Sequence, residues 1–243
     1  MTDPLVLIPG LQSDASSWLP LMERLGRHFP LSVPYGHQHA PSIAAMAETV
    51  LSQSAVRFHL VGWSMGGYIA FEILRQCPER LASLTLIATT AAPEGPESLA
   101  RRRDALSRAR ENGLRGYQIA NLQNCLYAPH AFQETDLEAL LQSSHHLGYD
   151  ALANQIKAIS ARPDSIADLS DCPCPVLIIA GQDDAIIPVE HSSEMHAKTP
   201  QSTLRILPEC GHCPPFEKPD HVATLIVDWI TAQENVVVVE QNA

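Results

Sequence analysis

The 243 residues contain no apolar run long enough to cross a bilayer, which takes about 18–20 residues in a helix. The N-terminal stretch MTDPLVLIPG has no basic segment and only a short apolar core, so no secretory signal is read and a soluble, cytoplasmic protein without a membrane partner is expected. Basic residues are scarce: 16 Lys and Arg stand against 27 Asp and Glu, a formal net charge of −11. That balance argues against a nucleic-acid surface, since phosphate binding needs clustered Lys and Arg, and no nucleic-acid partner is expected. Internal repeats are missing too. The 11 histidines are scattered without ligand spacing. His145 and His146 are adjacent on a predicted helix, so they point in different directions and make no metal pair.

Six cysteines remain to be placed. Cys172 and Cys174 form C-x-C, and Cys210 and Cys213 form C-x-x-C. Together they could make a four-thiolate zinc site or a redox pair. The first pair, however, sits in a proline-broken CPCP linker, and no βαβ pattern opens at Cys210. The reading is ordinary reduced thiols, with no metal and no cofactor. With 45% hydrophobic and 18% charged residues, the chain is globular and large enough for one α/β domain.

What is present is organised around Arg57–Arg75, RFHLVGWSMGGYIAFEILR. It reads as a buried strand, an abrupt turn and a helix. The strand is apolar from Phe58 to Val61 except for His59. After the turn, Ile69, Ala70, Ile73 and Leu74 recur at helical spacing. The turn itself, Gly62-Trp63-Ser64-Met65-Gly66, fits the G-x-S-x-G pattern of a nucleophile elbow. Glycines on both sides leave room for a strained backbone that lifts the Ser64 hydroxyl clear. The helix then begins beneath it, with its positive end and the Met65 N–H toward a reacting carbonyl. Such a pattern also arises by chance, so the test is whether an acid and a histidine follow at later strand ends.

Strands and helices alternate on either side. Strands are expected at Leu5–Ile8, Leu31–Val33, Leu81–Ala88, Val176–Ala180 and Ser202–Leu207. Helices are expected at Ala15–Arg27, Ile43–Gln53 behind an N-capping Ser42, Glu190–Lys198 and Pro219–Glu234. The tail VVVVEQNA is read as a loose end, with an added edge strand as the alternative. Between Thr89 and Ser170 only helical and loop signals occur, in four pieces. About eighty strand-free residues inside a βα series read as a helical cap. The expected organisation is therefore a core of residues 1–90 and 171–243 with a cap inserted at 91–170. An acid pair, Asp183 and Asp184, follows one late strand, and His212 follows the last.

Ser, Asp and His in that order resemble the α/β-hydrolase fold. LIPGLQSDASSW is similar to the family's oxyanion loop, GWSMGG to its elbow, GQDDAIIP to its acid loop and CGHCPPFEKP to its histidine loop. The resemblance covers the chain outside the cap. It implies a serine hydrolase with Ser64 as nucleophile, His212 as proton shuttle and an aspartate that orients it. The family's G-x-x-D-x-x-x-P spacing, from Gly181 to Pro188, assigns that aspartate to Asp184 and leaves Asp183 a solvated loop residue. The resemblance implies backbone N–H groups of Leu11 and Met65 as the oxyanion hole. Here Pro9-Gly10 replaces the His-Gly of many members, and the usual first hairpin is missing, so about six mostly parallel strands are expected.

The substrate implied is a small carboxylic ester. The same triad would serve an enol-lactonase or a carbon–carbon bond hydrolase of a ring-cleavage product. A ligand-binding member without activity is a further alternative, though such members usually lack a triad residue. The cap, with RRRDAL and NQIKAISARPDS, is somewhat similar to that of 3-oxoadipate enol-lactonases, in which a cap arginine meets a substrate carboxylate. That resemblance implies the role for Arg103 or Arg162; the alternative is a solvated helix face. Trp63 resembles the tryptophan that walls the acyl site in pimeloyl-ester esterases carrying GWSxGG. The caps differ, so that substrate is not carried over.

Overall fold

The computed structural model describes residues 3–132 and 134–241. The strands are β1 (Leu5–Ile8), β2 (Leu31–Ser32), β3 (Phe58–Trp63), β4 (Leu81–Ile87), β5 (Val176–Gly181) and β6 (Ser202–Leu207). They form one six-stranded sheet in the order β2–β1–β3–β4–β5–β6, with every neighbouring pair parallel. Successive side chains of a strand face opposite sides. Accordingly Val6, Ile8, Leu60, Leu84 and Ile178 pack on one face with α2 (Ile43–Gln53) and α3 (Met65–Gln76). Leu5, Leu7, Val61, Leu177 and Ile179 pack on the other with α1 (Leu19–Leu25) and α9 (Pro219–Gln241). Burial on both faces is why these strands read as continuous apolar runs rather than alternating ones.

His59 interrupts one such run yet is buried. Its Nδ1 lies 2.8 Å from the Ser83 hydroxyl on β4. Burial pulls its pKa down to about 4, so the ring is neutral at pH 7 and the core holds no unpaired charge there. The two edges of the sheet are blunted: β2 is only two residues long, and the middle of β6 is exposed and polar at Arg205.

The cap consists of α4 (Pro96–Cys125) and α5 (Glu134–Ser160), each broken by a glycine: Gly113 at φ 73° and Gly148 at φ 79°. The four pieces expected from sequence are thus two kinked helices. Ala109, Leu152 and Ile156 form the cap's own small core. After it, α6 (Ile166–Ser170) lies against α3 and α7 (Val189–Lys198). The short helix α8 (Pro214–Glu217) precedes α9. The tail differs from expectation. Rather than a loose end or an edge strand, α9 runs on to Gln241. Extending an established helix adds one hydrogen bond per residue fixed, which outweighs the weak preference of the valine run for other conformations. Asn242 and Ala243 lie outside the described residues. Among the described residues, no helix is long and apolar enough to cross a membrane.

The order of the strands fixes where a site can form. The chain leaves β1 to one side for β2 and returns on the other side as β3. Connections diverge there, leaving a crevice beyond the carboxyl ends of β1 and β3. Gly10 and Leu11 follow β1, and Ser64 follows β3.

Candidate active site

Ser64 occupies a backbone conformation that side chains rarely adopt, φ 54° and ψ −114°. Such strain persists only where the surroundings over-determine it. Its N–H donates to Ile87 O at 2.9 Å, and its carbonyl accepts from Gly67 N at 2.9 Å and from the Thr89 hydroxyl at 2.8 Å. Glycine is required on both sides of the turn. A Cβ at Gly62 would stand 2.6 Å from Gly66 O, and one at Gly66 would run into Ile8 O. Met65 is the first residue of α3, so its N–H is among those that have no intrahelical acceptor.

The acid and the histidine come from the ends of β5 and β6. Asp184 is buried, whereas Asp183 is exposed. Asp184 Oδ1 accepts from the N–H groups of Ile186 at 2.8 Å and Ile187 at 2.9 Å. Its Oδ2 stands 2.8 Å from His212 Nδ1, and His212 Nε2 stands 2.9 Å from Ser64 Oγ. The carboxylate can only accept, so Nδ1 carries the proton and Nε2 offers its lone pair to the serine hydroxyl. Burial pulls the His212 pKa down, but the hydrogen bond and charge of Asp184 outweigh it and leave the imidazole above its ordinary value. A hydroxyl hydrogen-bonded to such a ring can lose its proton as it attacks an electrophile.

The histidine loop is held by contacts that no motif announces. Glu217 on α8 accepts from Gly211 N at 3.0 Å, Cys213 N at 3.0 Å and Tyr127 N at 2.8 Å. His212 N donates to Cys125 O at 2.6 Å, and Trp63 Nε1 donates to His212 O at 2.8 Å. Trp63 therefore walls the site and also ties the elbow to the histidine loop.

Ser64 and His212 open into a cavity of about 480 Å³ under the cap, lined also by Leu11, Trp63, Met65 and Arg162. The expectation for Arg103 fails: it is exposed and is not among the lining residues. Adjacent helical residues point about 100° apart, and it is Arg101 and Arg102 that line the cavity. Arg162 is buried but committed. It pairs with Glu94, donates to Ala92 O at 2.8 Å and lies 4.0 Å from the Tyr68 ring centre. Arg102 pairs with the same Glu94 at 2.8 Å. Burial raises the Glu94 pKa, but the Arg102 and Ser98 hydrogen bonds and the two cations prevail and hold it down at about 2.

The two cysteine pairs pack on opposite faces of the sheet, Cys172 and Cys174 on one and Cys210 and Cys213 on the other, so they cannot converge on one ion. Among the described residues no cluster of histidine, cysteine or carboxylate side chains is placed to hold a metal.

Known proteins resemble the chain along its length. It is 30% identical over 243 residues to the pimeloyl-[acyl-carrier protein] methyl ester esterase of Photobacterium profundum, covering 93% of this chain and 94% of that one. It is 27% identical over 246 residues to a putative carbamate hydrolase of Agrobacterium fabrum, covering 93% and 92%. Among solved structures, a malate-bound thermophilic esterase from Thermogutta terrifontis superposes with a TM-score of 0.83 at 29% identity, over 96% of this chain and 90% of that one. The likeness to the enol-lactonase of Burkholderia xenovorans, TM-score 0.82 at 22% identity over 95% and 92%, extends to the fold and no further. The model of the alpha/beta hydrolase family matches residues 5–225. With that match over most of its length, the six-stranded parallel sheet and the strained serine turn, the chain belongs to the alpha/beta hydrolase family.

Proposed function

We propose that this hydrolase cleaves small carboxylic esters through an acyl-enzyme formed on Ser64. The observation that carries the reading is the unbroken hydrogen-bonded chain from Asp184 through His212 to Ser64. Ser64 Oγ attacks the ester carbon while His212 Nε2 takes its proton. The carbonyl oxygen becomes an oxyanion facing the N–H groups of Leu11 and Met65, and Asp184 balances the imidazolium. The intermediate collapses, the C–O bond to the alcohol breaks, and the leaving alcohol takes the proton back from His212. Water then attacks the acyl carbon with His212 again as base, releasing the acid and restoring Ser64.

Residues 91–170 act as the cap that closes the cavity, and the remainder is the catalytic core. Trp63 bounds the acyl side. Arg162 supports the cavity wall, since both terminal nitrogens of its guanidinium are already engaged. Arg101 and Arg102 are the cap cations that line the cavity, and an acidic far end would be drawn to them. The esterase names of the relatives support an ester as substrate class. A lactone is a cyclic ester and would run the same steps. A fluorophosphonate probe, with a panel of short neutral esters, acidic half-esters and lactones, tests the reading. Ser64 should be labelled and S64A should be inert toward both probe and esters. An S64A protein that still turns over esters would overturn it.

A further inference from the structure

The loop after β1 does not rest on the core alone. Gln12 N donates to Gln155 Oε1 on the cap helix α5 at 2.8 Å, and Gln155 Nε2 donates to Gln38 O at 3.0 Å. Ser144, also on α5, donates to Gln12 Oε1 at 3.2 Å. Ser143 donates to Asp14 Oδ1 at 2.7 Å. Gln155 and Ser143 are fully buried, and Gln12 and Ser144 are 2% exposed. Three polar side chains of one cap helix thus clasp a loop 129 to 143 residues away in sequence.

That loop needs holding. Gln12 sits at φ 55°, a left-handed conformation that costs a residue with a Cβ about 1–2 kcal/mol. The peptide planes on either side of Leu11 are each fixed from outside. Gly10 O accepts from Ser13 N at 3.3 Å, which turns the Leu11 N–H of the same trans peptide to the opposite side. The next peptide plane, carrying the Gln12 N–H, is fixed by Gln155. Leu11 itself packs against the small core of the cap and lines the cavity. Between two fixed planes, Leu11 has little freedom to rotate its N–H.

We infer that Gln155 is a positioning residue, which holds the Gln12 peptide from the cap and thereby aims the Leu11 N–H at the oxyanion, so that the hydrolytic site is complete only while the cap is seated. The inference rests on the reading of Leu11 as an oxyanion donor given above. It also assigns the cap a part in the chemical step beyond covering the substrate. Gln155 touches no reacting atom; it acts through the loop.

Two variants separate positioning from mere packing. Gln155→Met keeps length and removes both polar ends; Gln155→Asn keeps polarity but falls one methylene short. Each is assayed with a short ester, and each is titrated with a trifluoromethyl ketone, whose Ser64 adduct places an oxyanion in the hole. Misaiming one donor should lower kcat by about 10- to 100-fold. KM should stay near wild type, and ketone affinity should fall by a factor similar to that in kcat. Thermal unfolding identifies which variant is folded, and a folded Gln155→Asn decides the matter if Gln155→Met does not fold. A folded variant with wild-type kcat and ketone affinity, or one altered in KM alone, overturns the inference. S64A is the separate control. If S64A is inert while the Gln155 variants match wild type, only the role of Gln155 falls; if S64A is active, the reading of the whole site falls.

Discussion

Adjacent carboxylates differ in what the backbone lets them meet. Asp183 and Asp184 are chemically identical, but a one-residue step around the turn after β5 exposes the first and buries the second against two N–H groups and an imidazole. The family's loop spacing between Gly181 and Pro188 pointed to Asp184, and it is Asp184 that stands against His212. Consequences follow for activity and its pH dependence. In the proposed mechanism His212 must be neutral to accept the Ser64 proton, so activity should be lost as pH falls through its pKa, which Asp184 raises from its ordinary value despite burial. In D184N the attraction that raises this pKa is gone, and an amide can also hold the wrong tautomer. The expected result is a fall in kcat/KM of about 10⁴-fold. The acid limb of the remaining activity should also move to lower pH. D183N should keep both the rate and the limb near wild type. Rate profiles of the two variants with a pH-insensitive ester check this, and the reverse ranking would reassign the acid.

At the scale of elements, what was legible was what obeys local rules. Ser42 caps α2 through a 3.2 Å bond to Ala45 N, and that helix begins and ends where its pattern placed it. The elbow was legible because the Gly-x-Ser-x-Gly turn is demanded by sterics within a few residues. The supports of the site were not legible. Glu217 serves Tyr127 across 90 residues and Gln155 serves Gln12 across 143, and an acceptor for a distant backbone N–H has no spacing signature. Arg102 and Arg103 could not be told apart because a run of three arginines carries no apolar phase to set the helix face. The small helix α8 shows what such a support is worth. In E217A the N–H groups of Gly211 and Cys213, both partly buried, and of the exposed Tyr127 lose their acceptor. Unpaired groups of this kind cost about 1–3 kcal/mol each, and water will recover part of that. A net destabilisation of about 2–4 kcal/mol is expected in urea unfolding. A lower kcat should accompany it as His212 loses its anchor, with E217Q intermediate. Unchanged stability in E217A would show that water replaces the carboxylate fully.

For the whole molecule, the question is how an insertion of this length stays seated while its own core is only a few residues. The answer lies where the chain leaves and re-enters the sheet. Ser165 N donates to Ala91 O at 2.9 Å, and Arg162 donates to Ala92 O at 2.8 Å. Glu94, at the start of the insertion, takes Arg102 from the first cap helix and Arg162 from its end. One carboxylate thus closes the insertion on itself at the lip of the cavity. The pH dependence has a definite sign. The ordinary value for the group is 4.5 and the folded value about 2, so its stabilisation is complete above 4.5 and is lost as pH falls toward 2. E94Q lacks that proton linkage and leaves two guanidinium groups close together without a counter-charge. It should therefore be the less stable protein at neutral pH, and the gap from wild type should close as pH falls through this window. Comparing urea midpoints of the two proteins from neutral pH down to about 2 isolates Glu94 from the other carboxylates, which both proteins share. A gap that stays constant over the whole range would mean that the charge of Glu94 does nothing to hold the cap, and that packing of Tyr68 and Arg162 alone closes it.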